Sequence, residues 1–416
     1  MCFGIVMIMS IKGSIIVKKF GGTSVGTTDR IKVVAQRIIA AKKVHDNIVV
    51  VVSAMGDTTD ALVKLTKEIA NQPNSREYDA LLSTGEMVSA SLLAMTLIEM
   101  GHPAISLTGA QAGVLTEQYH AKAKILDVKT DRIKTELAHG KVVIITGFQG
   151  INQANDVTTI GRGGSDTSAV VLAASLESAE CEIYTDVDGV YTTDPRKVTD
   201  AKKLSEVSYD EMLELASLGA KVLHPRAVEC AKENNIILHV RSSFELSEGT
   251  RVKELSTMEV NRPVTGITVN TEEAIISVLD VPDHPGAAGK LFSELGKHNI
   301  NVDMIIQSVE NQEANNISFS IQQDELEKAK TVTQEIAKEM NARDILITTD
   351  IAKVSIVGVG MLSKPGVAAK MFKALGDSSI NILRITTSEI KVSCAIDKQN
   401  AQKALQILHS TFGLEK

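Results

Sequence analysis

Residues Pro285–Ser308, PGAAGKLFSELGKHNINVDMIIQS, recur without a gap at Pro365–Ser388 as PGVAAKMFKALGDSSINILRITTS. Eleven of the 24 paired positions are identical, where this composition would produce roughly one or two by chance. Each copy reads strand, Pro-Gly turn, helix, strand, strand, helix. Two copies are too few for a stacked solenoid, which leaves a pair of small α+β modules. The first copy ends on a fourth strand, DILITTD, whereas only a few residues follow the last helix of the second. VTGITVN (Val264–Asn270) precedes the first module and is the expected donor of the missing strand, so the modules are expected to interlace.

The rest of the chain has a different period. From Ile15 to about Ser243, apolar β-branched runs (IIVKKF, NIVVVVSA, KVVIITGF, CEIYTDV, NIILHV) alternate with amphipathic helical stretches such as DRIKVVAQRIIAAKK. Strands buried on both faces and separated by helices predict a mostly parallel, three-layer α/β sandwich. With 416 residues there is room for two to four domains at roughly 100–200 residues each. The expected division is an N-terminal extension over 1–14, a large α/β domain over 15–245, a polar linker over 246–263, and modules over 264–349 and 350–416. Aromatic residues are 3% of the chain and Trp is absent, so the core rests on aliphatic side chains and a base-stacking platform is excluded. The net charge of −7 argues against a nucleic-acid footprint. Cys2, Cys181, Cys230 and Cys394 form no CxxC pair, which points to a reducing cytoplasm rather than a disulfide framework or a zinc site. The apolar start MCFGIVMIMSI stops at Lys12, short of a membrane span and without a cleavage signal.

Glycine-bearing segments follow several strands, and ligands in an open α/β sheet bind outside the carboxyl ends of strands. In VKKFGGTSVG, two glycines allow the backbone to approach phosphate oxygens while Lys19 supplies a point charge. In TTIGRGGSDTSAVVLAASL, glycines precede Ser165 and Asp166 at a helix start. Free amides and the Arg162 fork could there hold a carboxylate or phosphate; capping by Asp166 or Thr167 is the plainer alternative. EIYTDVDGVYTTDPR carries Thr185, Asp186, Tyr191 and Arg196 past a strand end and fails the EF-hand spacing. SLGAKVLHPRAVE places Lys221 near a helix boundary. The nine histidines are dispersed, so no protein-held metal is expected, and His224 reads as a cap or packing residue.

KFGGTSV, SAMGDTTD, STGE, GRGGSD, YTDVDGVYTTDPR and GAKVLHP, in that order, resemble the aspartate kinases of the amino acid kinase family. The repeated modules look like the ACT pair carried by those enzymes. The resemblance implies ATP-dependent phosphorylation of the L-aspartate β-carboxylate to 4-phospho-L-aspartate, with Mg²⁺, on the way to lysine, threonine, methionine and diaminopimelate. It puts Lys19, Phe20, Gly21 and Gly22 at the transferring phosphates, with Thr23 and Ser24 beside them. Glu86 meets the substrate ammonium, Arg162 clamps its α-carboxylate, and Thr59 and Ser165 complete the pocket. Thr185, Asp186, Tyr191, Arg196, Lys221 and Val222 fall at the nucleotide, and Asp166 orients Lys19 or the magnesium ion. Catalysis is assigned to Lys19, Arg162, Asp166 and Lys221. The ACT pair implies feedback by lysine, threonine or both through Asp280, Asp283, Gly286, Asn301 and Gln307, with Gly366, Asn381 and Ile382 in the second copy, and a homo-oligomer joined through these modules.

Other readings stay open at this stage: a catalytically silent sensor on the same fold, or another amino acid kinase. A fused homoserine dehydrogenase is excluded by length, and a P-loop enzyme by the absence of GK[ST].

Overall fold

A computed structural model describes residues 13–220, 222–255, 262–309 and 314–415. Most of the expected extension, and Lys221, lie outside the described residues. Two compact units form: one from Met1–Val190, Lys203–Ser217 and Lys221–Thr257, the other from Tyr191–Lys202, Leu218–Ala220 and Met258–Lys416.

The first unit runs β1 (Ile15–Phe20), α1 (Thr28–Ala41), β2 (Asn47–Val52), α2 (Thr58–Ile69), α3 (Ser75–Leu82), α4 (Thr84–Glu99), β3 (Ala104–Leu107), β4 (Val114–Thr116), β5 (Ile125–Val128) and α5 (Asp131–Ala138). It continues with β6 (Val142–Thr146), β7 (Gln149–Ile151), β8 (Val157–Thr159), α6 (Gly164–Ser175), β9 (Glu180–Thr185), β10 (Glu206–Ser208), α7 (Tyr209–Ser217), α8 (Pro225–Glu233), β11 (Ile237–Ser242) and β12 (Thr250–Lys253). Eight strands form one sheet in the order β10-β12-β11-β9-β1-β2-β6-β3. All its neighbours are parallel except β11 and β12. Strand alternation assigns β1 to two layers. Ile16 and Phe20 enter the core that α1 and α4 close with Ile31, Ile38, Leu93 and Leu97. Lys19 points to the opposite face, where α6 packs.

Two expectations change here. The linker read from the polar composition of 246–263 contains β12, whose Thr250 and Val252 are buried. Gly249, at φ +77°, makes the turn that brings this strand back antiparallel to β11. A second sheet, β5-β4-β7-β8, is built from strands of three or four residues, too short to show a period.

The second unit holds β13 (Gly266–Asn270), β14 (Glu273–Pro282), α9 (Ala287–Lys297), β15 (Ile305–Val309), β16 (Ala314–Gln322), α10 (Leu326–Glu339) and β17 (Asp344–Thr348). The repeated copy follows as β18 (Ile351–Val357), α11 (Val367–Asp377), β19 (Ile382–Thr387), β20 (Lys391–Asp397) and α12 (Ala401–Phe412). Its sheets are β15-β16-β14-β17 and β13-β18-β20-β19. β13 is antiparallel to β18, with Ile267 opposite Ile356, and Ile267 packs with Met371, Leu375 and Leu405. Tyr191–Lys202, which the motif reading assigns to the catalytic domain, also belongs to this unit. Ile267 N donates to Thr192 O at 2.8 Å, Thr192 Oγ1 and His409 Nε2 are 3.0 Å apart, and Val198 enters the same apolar core.

Candidate active site

The carboxyl ends of β1, β2 and β6 meet the starts of α4 and α6. After Phe20 the backbone turns through Gly21 and Gly22. Gly21 N donates to Tyr184 O at 3.1 Å and Gly56 N donates to Gly22 O at 3.0 Å, which ties the loops after β1, β9 and β2 together. A Cβ on Gly22 would sit 2.9 Å from Ala54 O, so only glycine fits that approach. Lys19 Nζ lies 3.3 Å from where a Cβ on Gly21 would stand, and therefore overhangs the glycine turn.

Lys19 is buried and faces Asp166 Oδ1 at 2.6 Å. That oxygen has no aligned hydrogen bond, so the contact is ionic. Asp166 stands in the first turn of α6, whose N-cap, Gly163, is left-handed at φ +69° and offers no side chain to the free amides. Gly147 lets this turn sit against β6: a Cβ there would lie 2.8 Å from Ser165 Cβ. His224 caps α8 and packs on Gly163, where a Cβ would strike its ring. Burial lowers the His224 pKa, against the opposing charge of Asp166. Arg162 is exposed, without a hydrogen bond or ion pair among the described residues.

Glu86, in the first turn of α4, is buried. Its Oε1 accepts from Ala54 N at 3.2 Å, and its Oε2 has no partner. Burial pushes its pKa up from 4.5 to about 7, although the hydrogen bonds to its own backbone and to Ala54 oppose the shift. One residue thus serves both halves of the site: Ala54 N binds Glu86 and Ala54 O abuts Gly22. Thr59 is half-buried at the start of α2, and Thr185 and the exposed Asp186 end β9, with Thr185 Oγ1 donating to Asp186 Oδ1 at 3.0 Å.

Several expected residues are placed otherwise. Phe20 is fully buried and stacks on Tyr184 with centroids 4.7 Å apart, so its side chain packs in the core and only its backbone faces the glycine turn. Ser24 is turned to Ser243 Oγ, while Thr23 is exposed. Tyr191 and Arg196 lie in the second unit, where Arg196 pairs with Asp194 at 3.0 Å. Val222 is half-buried in the turn before α8. Ala54, Gly147 and Ser243 are contributors to which the motif reading gave no role, although Gly147 follows the strand of the KVVIITGF run, where a ligand-side glycine is expected.

In the repeated modules, Gly286 and Gly366 are left-handed N-caps at φ +97° and +92°. Asp280, itself at φ +51°, pairs with Arg343 at 2.7 Å, and Asp283 accepts from Asn315 Nδ2 at 2.9 Å. Asn301, Gln307 and Asn381 are exposed and Ile382 is half-buried.

Comparison with known proteins decides the family. The family model "Amino acid kinase family" matches residues 14–242, and "ACT domain" matches 276–335 and 354–412. An aspartokinase of Bacillus sp. strain MGA3 is 52% identical over 400 residues, covering 96% of this chain and 97% of that one. The chain belongs to the aspartokinases. Among solved aspartokinases, E. coli aspartokinase III in complex with aspartate and ADP matches with a TM-score of 0.81 at 25% identity, covering 96% of this chain and 100% of that one. The same enzyme in complex with lysine and aspartate matches at 0.73 and 26%, over 96% and 99%.

Within this aspartokinase, one cluster among the described residues has metal-ligand spacing: Glu180, Glu182 and His239, on β9 and β11. Glu182 is already neutralised by Lys18 and Arg241, so the cluster is a poor cation site.

Proposed function

We propose that this aspartokinase transfers the γ-phosphoryl group of ATP to the β-carboxylate of L-aspartate. The observation that carries the reading is the Ala54 backbone, which joins a lysine-covered glycine turn to a buried carboxylate with an unpaired oxygen. The first suits phosphate and the second suits an ammonium group.

The nucleophile is a carboxylate already ionised near neutral pH, so no general base is needed. A carboxylate oxygen bonds to the γ-phosphorus as the bond to the ADP oxygen breaks, leaving an acyl phosphate and ADP. Catalysis is then alignment plus neutralisation of two approaching anions. Lys19 supplies positive charge at the phosphates, with the Gly22 amide and the uncapped amides at the α6 start. Asp166 holds the Lys19 ammonium over the turn. Glu86 receives the substrate ammonium, Arg162 forks onto its α-carboxylate, and Thr59 and Ser165 line the remaining side. Thr185, Asp186 and Val222 are assigned to the nucleotide; no role there is built on Tyr191 or Arg196. A magnesium ion bound with ATP would neutralise phosphate charge, and Asp166, whose Oδ1 faces Lys19 at 2.6 Å, is assigned to orienting Lys19 or that ion.

The paired ACT modules supply feedback. The turns led by Gly286 and Gly366, with Asp283 and the exposed Asn301, Gln307 and Asn381, are assigned to recognising lysine, threonine or both, and the modules are assigned to joining copies of the chain. Trapping the acyl phosphate with hydroxylamine tests the whole reading. Aspartate, ATP and Mg²⁺ should yield aspartyl hydroxamate, and lysine or threonine should suppress it. No hydroxamate removes the kinase assignment; indifference to both amino acids removes the feedback assignment.

A further inference from the structure

Asp79 lies outside every motif of this chain, yet it is fully buried on α3. A buried carboxylate is costly unless each oxygen finds donors, and apolar packing would serve stability as well. Asp79 is supplied with three donors from two other segments. Ala121 N donates to both its oxygens at 3.1 and 3.0 Å, Thr159 Oγ1 donates to Oδ1 at 2.5 Å, and His120 Nδ1 lies 2.8 Å from Oδ2.

These contacts lead to the two groups assigned to the amino-acid substrate. Ala121 is left-handed at φ +66°, a conformation an alanine holds only when its surroundings impose it. Its carbonyl is thereby turned against Gly161, where a Cβ would stand 3.1 Å away. Gly161 immediately precedes Arg162. Thr159 is two residues before Gly161, and its carbonyl receives Ala123 N at 3.0 Å. From the other side Arg226 Nη1 donates to Ile160 O at 2.7 Å, and its Nη2 to Ala123 O at 3.4 Å. The Arg162 loop is therefore gripped at each residue leading into it.

The helix that carries Asp79 leads to the other group. α3 closes with Ser83 N donating to the Asp79 carbonyl at 3.0 Å in ordinary helical register, at the junction where α4 begins. Gln149 Nε2 pins Ser83 O at 2.8 Å, and Glu86 follows three residues later in the first turn of α4.

We propose that Asp79 is a positioning residue for the amino-acid substrate. By tying the α3–α4 corner to the Ala121 amide and the Thr159 hydroxyl, it sets the spacing between Glu86 and Arg162, and so the distance at which an ammonium and an α-carboxylate are gripped together. The inference rests on the substrate reading above, and the test separates the two.

Asp79→Asn keeps the size of the side chain but turns one acceptor into a donor facing donors. In the hydroxamate assay its aspartate KM should rise on the order of tenfold to a hundredfold, the loss typical of a misplaced binding geometry, while the ATP KM stays within about twofold. A residue needed only for folding would lower the active fraction and the melting temperature with both KM values unchanged, and that result overturns the proposal. So does an equal rise in both. Thr159→Val and His120→Gln each remove one donor and leave the carboxylate in place; they should raise the aspartate KM less, and not additively with Asp79→Asn. If Asp79→Asn does not fold, an unchanged aspartate KM in these two overturns the proposal instead. A wild-type chain that forms no hydroxamate refutes the substrate reading itself, and this inference with it.

Discussion

Replacing Glu86 with glutamine should make the protein more stable and less able to bind aspartate, with the stability gain appearing only at high pH. Burial raises the Glu86 carboxyl from 4.5 to about 7, so the folded chain holds this proton more tightly than the unfolded chain. The sign follows from linkage. The favourable protonated form is fully present below the unfolded value near 4.5 and is lost as pH rises through about 7. The gap between those values corresponds to about 3 kcal/mol at alkaline pH. Glutamine has no charge to bury at any pH. Thermal melts of both proteins from pH 5 to pH 8.5 should therefore start within about 1 kcal/mol of each other and diverge. At the upper end, about 3 kcal/mol corresponds to a lead for Glu86→Gln of roughly 6–10 °C in the kinase unit. Saturating aspartate should then stabilise the wild type and not the variant, because the ammonium restores what desolvation removed. Kinetically, the wild-type aspartate kcat/KM should rise about tenfold from pH 6 to pH 8, following ionisation of Glu86 in the empty enzyme. A stability gap that is the same at pH 5 and pH 8.5 would refute the buried, proton-holding carboxyl.

Three further outcomes follow from burial and pairing. Lys19→Ala should lower turnover about a hundredfold or more and destabilise the kinase unit by about 3 kcal/mol, because Asp166 loses its partner in a mostly buried pair. Adding Asp166→Asn should recover the melting temperature without recovering turnover; a near-normal rate in Lys19→Ala removes Lys19 from the transfer. Arg162→Lys should leave the melting temperature unchanged, since the side chain is exposed, and raise the aspartate KM about tenfold, because an ammonium cannot reproduce the planar fork; an unchanged KM would count against the clamp. Lys353→Ala should cost the second unit about 3–5 kcal/mol in denaturant unfolding, because Lys353 is buried between Glu273 and Asp303 and its loss strands Glu273. Adding Glu273→Gln should restore part of that loss, and no restoration would mean that packing, not charge, sets the cost.

The legible part of this protein is what repeats or follows a local period. Val49–Val52 and Val142–Ile145 read as strands because β-branched runs buried on both faces have no polar alternation to confuse. The duplicated Pro-Gly turns read as equivalent, and Gly286 and Gly366 adopt the same left-handed cap. Strands of three residues, such as β7 and β8, and the polar β12 were not legible. β7 pairs with the next strand, β8, and β12 with the preceding strand, β11, through runs too short or too polar to show a period of their own.

By itself, the sequence determined the α/β class, the duplicated modules, and the order of glycine-bearing motifs that marks an aspartokinase. Those depend on spacing along the chain, which the chain carries with it. Only the tertiary structure decided that Lys19 faces Asp166, that Phe20 serves the core, that Tyr191–Lys202 belongs to the second unit, and that Glu86 keeps an unpaired oxygen. These are outcomes of desolvation. The charge state and partner of a side chain depend on which remote segments exclude water from it, and residue spacing along a chain does not encode that.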